Sequence, residues 1–238
     1  MHLKFNLSFL KFVSTINLSM KNISKEDYLR EIYKNEDSNG QTKANLIAEK
    51  LQVSNAAVTD MLKKLKSAGH IKYEPYHGVE LTDKGREFAQ KMVRRHRIWE
   101  VFLHQIVGLP WDKVHDEAQH LEHSGSDELI NRLEEMLNFP AFDPHGDPIP
   151  SKSGIIPKQK KNVALTSLQQ NQVGTVIRVN DFDSKFLSYL SKIGIKLNKE
   201  IKVCEVLNFD RSMLVKIEGK EINLSHKIAE NIFVEIKK

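Results

Sequence analysis

Apolar side chains recur at helical spacing in three stretches near the start of the chain, residues 24–33, 42–51 and 55–68, and predict three helices there. Ser24 is the expected N-cap of the first helix. Gln52-Val53-Ser54 separates the second helix from the third, and Gly69 ends the third. Two helices joined by a short turn, the second capped by serine, are typical of a helix-turn-helix.

The pattern then changes to short strands and returns to helices. Residues 71–76 and 79–82 flank a His77-Gly78 turn and predict a two-stranded hairpin, which makes the unit a winged helix-turn-helix. Three further amphipathic helices are expected, over 82–107, 111–123 and 126–137.

The last third of the chain is rich in β-branched residues. Strand-like runs at 174–179, 199–203, 213–217 and 231–236, with one helix at 184–193, predict a small β-barrel. The fold class is therefore mainly α with small β parts. The domains expected are a disordered extension (1–19), a winged helix-turn-helix (20–92), a helical domain (93–140), a Pro/Gly-rich linker (141–162) and the barrel (163–238).

Charge separates these regions further. The net charge is +5, but residues 96–150 hold 3 Lys/Arg against 11 Asp/Glu and carry six of the ten histidines. Basic ends suit a polyanion, and an acidic, histidine-rich centre suits a metal cation. The single cysteine, Cys204, excludes a disulfide framework and a thiolate-rich zinc site. We expect a cytoplasmic protein without a membrane span, since no run approaches the roughly 18 apolar residues that a span needs.

The third helix is the expected recognition helix. Its first turns expose small and polar residues while its apolar residues form the buried stripe, so the helix can enter a major groove closely. Backbone amides and lysines there suit phosphate contacts. The DNA-contacting residues expected are Thr42, Ser54, Asn55, Ala56, Ala57, Thr59 and Lys63.

Imidazoles and carboxylates share faces of the next two helices. His96 and Glu100 are four residues apart, and His115, Gln119, Glu122 and His123 fall within one stripe of the following helix. Two such helices side by side could enclose one or two metal sites of mixed nitrogen and oxygen donors, the rival interpretation being a solvated surface.

An enzyme is not expected. A zinc hydrolase helix carries histidines four apart, whereas His115 and His120 are five apart and point in different directions. We find no nucleotide-binding loop, nucleophile elbow or dinucleotide fingerprint in the sequence.

Several strings, in order, resemble the diphtheria toxin repressor and manganese transport regulator family of metal-dependent repressors. They are residues 27–33 (DYLREIY), 95–100 (RHRIWE), 106–109 (IVGL), 113–118 (KVHDEA), 121–123 (LEH) and 144–150 (PHGDPIP). The resemblance implies a winged helix, a helical dimerisation domain and a C-terminal barrel of the FeoA-like type. It also implies a primary metal site at Asp27, Gln119, Glu122 and His123, and an ancillary site at His96, Glu100 and His115, to which the barrel would add Asp181 or Asp183.

Two departures from the family pattern bear on the metal. Where iron-type members carry Met and Cys, this chain has Asp27 and Gln119, whose hard oxygen donors favour Mn(II), with Fe(II) as the alternative. Arg30 stands where the closely spaced two-manganese type carries Glu.

The resemblance predicts a homodimeric repressor of manganese or iron homeostasis genes, in which bound metal sets the spacing of the two reading heads on a palindromic operator in double-stranded DNA. The alternative is a metal-independent winged-helix regulator that responds to a small organic ligand.

Overall fold

The computed structural model describes residues 25–74, 78–181 and 183–237. It divides into two compact units, Met1–Val93 and Arg94–Lys238, which are described in turn. The expected disordered extension, residues 1–19, and the expected N-cap Ser24 lie outside the described residues. Within the described ranges, no helix is long and apolar enough to cross a membrane.

The first unit is a winged helix. Its elements are α1 over the described residues 25–34, β1 (Gln41–Thr42), α2 (Ala44–Leu51), α3 (Asn55–Ser67), β2 (Ile71–Tyr73), β3 (Val79–Leu81) and the first part of α4 (Asp83–Gln105). The three strands form an antiparallel sheet in the order β1-β3-β2. The predicted helix-turn-helix and wing are confirmed, although residues 41–42 pair with the wing as a strand instead of starting α2.

Local sequence explains the position of α3. The Ser54 hydroxyl caps the helix by accepting a hydrogen bond from the backbone N–H of Ala57 at 3.2 Å. Val58, Leu62 and Leu65 are buried on one stripe and belong to the core of this unit. The helix is thereby held by one face, and its other face is left to solvent.

A buried histidine makes the first unit sensitive to acid. His70 is 4% exposed and packs against Phe88, and burial lowers the pKa of His70 below its ordinary value of 6.5, with Lys25 and Lys84 lowering it further. The unfolded chain therefore binds the proton more tightly, so the free energy of unfolding should fall as pH drops through 6.5. The contribution of neutral His70 to the free energy of unfolding is fully present above pH 6.5.

Hydrogen exchange in a chelator checks this expectation. Amide protection factors in α3 should fall between neutral pH and about pH 5 in the wild type, and fall less in His70→Gln. His104→Gln, a change at an exposed histidine of the second unit, is the matched control. An identical acid response in all three proteins would exclude His70 as the cause.

The second unit begins with helices. The remainder of α4 is followed by α5 (Val114–Leu121) and α6 (Asp127–Met136), and Ser126 caps α6 by accepting from the N–H of Leu129. The guanidinium of Arg94 on α4 joins the Glu134 carboxylate of α6 at 2.5 Å. Helix α5 is shorter than predicted at both ends, so that Glu122 and His123 follow its last turn.

The rest of this unit is a six-stranded antiparallel sheet with small helices. Its strands, in the order β4-β9-β5-β6-β7-β8, are β4 (Val163–Ala164), β5 (Val173–Val179), β6 (Glu200–Val206), β7 (Met213–Ile217), β8 (Lys220–Leu224) and β9 (Ile232–Ile236). Helix α7 (Ser184–Lys192) lies between β5 and β6, and α8 (His226–Ala229) precedes β9. The edge strands β4 and β8 and helix α8 were not predicted, because each has at most five residues and carries no clear hydrophobic pattern.

The segment predicted as a linker is packed in its first half. Asp143, His145 and Ile149 are all under 5% exposed. The carboxylate of Asp143 accepts hydrogen bonds from the backbone N–H groups of His145 and Asp147, which closes a tight turn. The first half of the Pro/Gly-rich segment predicted as a linker over 141–162 is therefore an ordered turn fixed by its own hydrogen bonds.

Candidate functional site

Helices α4 and α5 bring three of the expected ligands together. His96 Nε2 lies 3.0 Å from Glu100 Oε1, one turn along α4, and 3.1 Å from His115 Nδ1 on α5. His115 Nδ1 is also 3.2 Å from the same carboxylate oxygen. Glu100 has no exposed surface and His96 is 4% exposed. Two imidazoles and one carboxylate thus meet at a site where Glu100 and His96 are buried and His115 is partly exposed, which is not the solvated surface that was its rival.

A second pair of expected ligands follows α5. Glu122 Oε1 lies 3.1 Å from His123 Nε2, and Glu122 Oε2 lies 2.5 Å from Nδ1 of His96. The Arg95 guanidinium donates to the backbone carbonyl of Glu122 at 3.1 Å and so fixes the chain where α5 ends. The imidazole of His96 therefore touches Glu122 on one side and Glu100 on the other.

The buried histidines and carboxylates of this cluster each favour the charged form of the other. Burial alone would lower the pKa of His96, but Glu100 and Glu122 outweigh it and raise that pKa to about 9. Burial would raise the pKa of Glu100, yet the facing histidines hold it well below its usual range. The metal-free site is thus a protonated imidazole between carboxylates, and metal binding must displace that proton, so acid should weaken metal binding.

One residue that lines this site was not among the expected ligands. His145 is fully buried, and its Nδ1 faces Glu100 Oε2 at 4.0 Å. Its Nε2–H donates to the carbonyl of Trp111 at 2.9 Å, and its own carbonyl accepts from the N–H of Val179. Gly146 follows at φ +92°, where a Cβ would stand 2.1 Å from the Ile177 carbonyl oxygen. The Asp-x-His-Gly string was the available signal.

Of the two aspartates expected from the C-terminal domain, Asp181 lies near the cluster. Its Oδ2 is 3.8 Å from His115 Nδ1, and the residue is 9% exposed. The carboxylate of Asp183 instead caps α7 by accepting from the N–H of Lys185 at 2.7 Å. Burial raises the pKa of nearby Asp143 to about 7, with Asp147 and Glu100 adding to the rise.

The other two expected ligands are placed as follows. Gln119 is half-buried on α5, one turn after His115. Asp27 belongs to the first unit, on α1, where its carboxylate lies 3.3 Å from the Arg30 guanidinium. The assignment of these residues as ligands stays a prediction.

The expected DNA-contacting residues lie mostly on the free face of α3. Ser54, Asn55, Ala56, Ala57 and Lys63 are exposed, and Thr59 is half-exposed with its hydroxyl donated to the carbonyl of Asn55. Thr42 is different, because it is 1% exposed and its hydroxyl donates to the Ile32 carbonyl at 2.8 Å. The prediction that Thr42 contacts DNA is wrong, since its side chain joins β1 to α1.

Comparison with known proteins gives three family matches along the chain. Residues 22–79 match the N-terminal DNA binding domain of iron dependent repressors, residues 82–151 match their metal binding and dimerisation domain, and residues 163–236 match the FeoA domain.

Relatives and solved structures agree with these matches. The chain is 32% identical to the iron-dependent repressor IdeR of Mycobacterium leprae, over 88% of this chain and 96% of that protein. It is 30% identical to the diphtheria toxin repressor of Corynebacterium efficiens, over 88% and 94%. A solved manganese-dependent transcriptional repressor in complex with manganese superposes with a TM-score of 0.82 at 35% identity, covering 90% of this chain and all of that one.

Proposed function

Because the chain belongs to the iron-dependent repressor family, we propose that it represses genes of manganese or iron homeostasis and that Mn(II), with Fe(II) as the alternative, is its activating ion. The chain is a metal-dependent DNA-binding repressor that dimerises and uses a divalent ion. Its family consists of transcriptional repressors, and a metal-independent regulator of the winged-helix class is not supported.

The observation that carries the choice of metal is the donor set. In the described residues the potential metal ligands around Glu100 are imidazole nitrogens and carboxylate oxygens. The thiol of Cys204, on β6, is not among them. Two of its buried atoms, Glu100 Oε2 and His145 Nδ1, have no hydrogen-bond partner within the described chain. Buried polar atoms without partners cost free energy, and a hard or borderline divalent cation is the ligand that such donors suit.

We assign the ancillary site to His96, Glu100 and His115, with Asp181 as the C-terminal contribution. The primary site is assigned to Asp27, Gln119, Glu122 and His123. This second assignment rests on the sequence resemblance, and it would connect the DNA-binding unit to the dimerising one. Two carboxylates and an amide with one imidazole favour Mn(II) over softer ions.

The proposed mechanism depends on the carboxylates of Asp27 and Glu122, which repel each other without metal. A divalent ion bound between them would supply positive charge and cancel this repulsion. The DNA-binding units of a dimer would then be held at one spacing. Recognition helices must lie about 34 Å apart, or a multiple of it, to enter successive major grooves, so a two-fold dimer would read a palindromic operator. We place this activity in the cytoplasm, where the DNA is.

Titration of DNA binding with metals tests the proposal. Operator fragments are first selected from genomic DNA with Mn(II)-loaded protein, and their affinity is then measured in chelator and in Mn(II), Fe(II), Co(II) and Zn(II). We expect Mn(II) to strengthen binding at least tenfold, a coupling of about 1.4 kcal/mol. Equal affinity with chelator and with metal would refute metal regulation.

A further inference from the structure

The two oxygens of Glu100 face different sets of ligands. Oε1 lies 3.0 Å from His96 Nε2 and 3.2 Å from His115 Nδ1, whereas Oε2 faces His145 Nδ1 at 4.0 Å. A carboxylate with no exposed surface, whose oxygens point to separate groups of nitrogens, has the geometry of a bridging ligand.

The hydrogen bond of His145 fixes which of its nitrogens carries a lone pair. Nε2 lies 2.9 Å from the Trp111 carbonyl, which can only accept, so Nε2 carries the hydrogen and Nδ1 of the neutral ring is an acceptor. In that neutral form of the ring, Nδ1 and Glu100 Oε2 are two acceptors that face each other, both buried and both without a hydrogen-bond partner in the described part of the chain. A cation about 2.1 Å from each donor would occupy such a space.

Asp181 completes this second group. The donor atoms of Glu100, His145 and Asp181 lie within 4.8 Å of one another, as do those of His96, Glu100 and His115. A single ion held by Glu100 Oε1, His96 and His115 would leave His145 Nδ1 and Glu100 Oε2 facing each other with neither a metal ion nor a hydrogen-bond partner. Two ions would engage all the donors.

We propose that Glu100 bridges two divalent ions, one bound by Oε1 with His96 and His115 and the other by Oε2 with His145 and Asp181. This inference rests on the proposed function, because it divides the ancillary site into two. The second ion would join the loop around His145 to Asp181, which follows β5.

The number of ions bound by the full chain tests the bridge. Chelator-stripped protein is dialysed against Mn(II), and metal is counted by mass spectrometry. We expect three ions per chain in the wild type, one at the proposed primary site and two at Glu100, and one fewer in His145→Gln and in Asp181→Asn. His120→Gln, at an exposed histidine whose ring contacts the Asp116 carbonyl, should match the wild type.

Electron paramagnetic resonance adds a readout that a purely structural role would not change. Carboxylate-bridged Mn(II) ions couple magnetically, so the loaded wild type should give a broadened component beside the resolved signal of the unbridged ion at the primary site. Asp181→Asn should lose the broadened component and give the resolved spectrum of isolated Mn(II) alone. Circular dichroism monitors folding, and if His145→Gln does not fold, Asp181→Asn and the wild-type spectrum decide.

The outcomes separate the two proposals. Uncoupled spectra, with equal ion counts in the wild type and Asp181→Asn, would overturn the bridge while metal-dependent DNA binding stands. A wild type that binds no Mn(II) and recognises DNA equally well in chelator would overturn both.

Discussion

An Ala57→Glu variant is expected to fold normally and to lose specific DNA affinity roughly a hundredfold or more. Ala57 is the third residue after the N-cap Ser54, and it is exposed at the start of the recognition helix. A glutamate there completes a capping box with Ser54 and carries a favourable charge for the helix N-terminus, so the helix should not be weakened. The same carboxylate would face the DNA phosphates.

Ala57→Gln is the matched control, because glutamine also completes the capping box and has nearly the size of glutamate. Fluorescence anisotropy with a labelled operator in saturating Mn(II) compares the two variants, and thermal melting verifies their folds. We expect Ala57→Gln to keep much more of the affinity. Equal binding by both would mean that this end of α3 does not approach the phosphates.

Replacement of Asp27 by Met is expected to reduce activation by Mn(II) at least tenfold, and activation by Fe(II) or Co(II) much less. The change exchanges a hard anionic oxygen for a soft neutral sulfur, and soft ligands disfavour Mn(II) most. Operator affinity is measured against each ion, without oxygen for Fe(II). The preference among metals should shift towards iron.

The structure offers a control for the ion pair that this change also breaks. Asp27 and Arg30 lie 3.3 Å apart on α1, and both are buried. Arg30→Met disrupts the same pair but keeps the proposed ligand, so its response to Mn(II) should stay close to that of the wild type. If Asp27→Met retained the full manganese response, Asp27 would not be a ligand and the coupling of the two units through it would be wrong.

Helical periodicity predicted the part of the site that lies on regular helices. The four-residue spacing of His96 and Glu100 places both side chains on one face of α4, and His115 is presented by α5 opposite them. The same reasoning was less successful for Glu122 and His123, which were assigned to a continuous helix but follow its last turn. Glu122 contacts His96 from a position where Arg95 donates to its carbonyl, and no spacing rule contains these tertiary contacts.

Helical periodicity could not place His145. The residue lies in a segment whose Pro and Gly content is typical of linkers, and periodicity carries no information there. Its position depends on a carboxylate-closed turn at Asp143 and on the close approach of Gly146 to β5. The side chain of Thr42 was misassigned for a similar reason, because its hydroxyl donates to the backbone carbonyl of Ile32 in a tertiary contact between β1 and α1.

Trp111 links the helical part of the second unit to the C-terminal sheet, so it bears on whether the two parts could exist separately. It follows α4 in sequence, yet its side chain belongs to the hydrophobic core of the C-terminal sheet and donates to Ser191 of α7. A shortened chain that ended before that sheet would expose an indole that is now 8% accessible and would leave its N–H without this acceptor. Loss of the C-terminal domain in evolution would therefore favour a polar replacement at position 111, because Trp111 completes the core of a domain that lies more than 50 residues further along the chain.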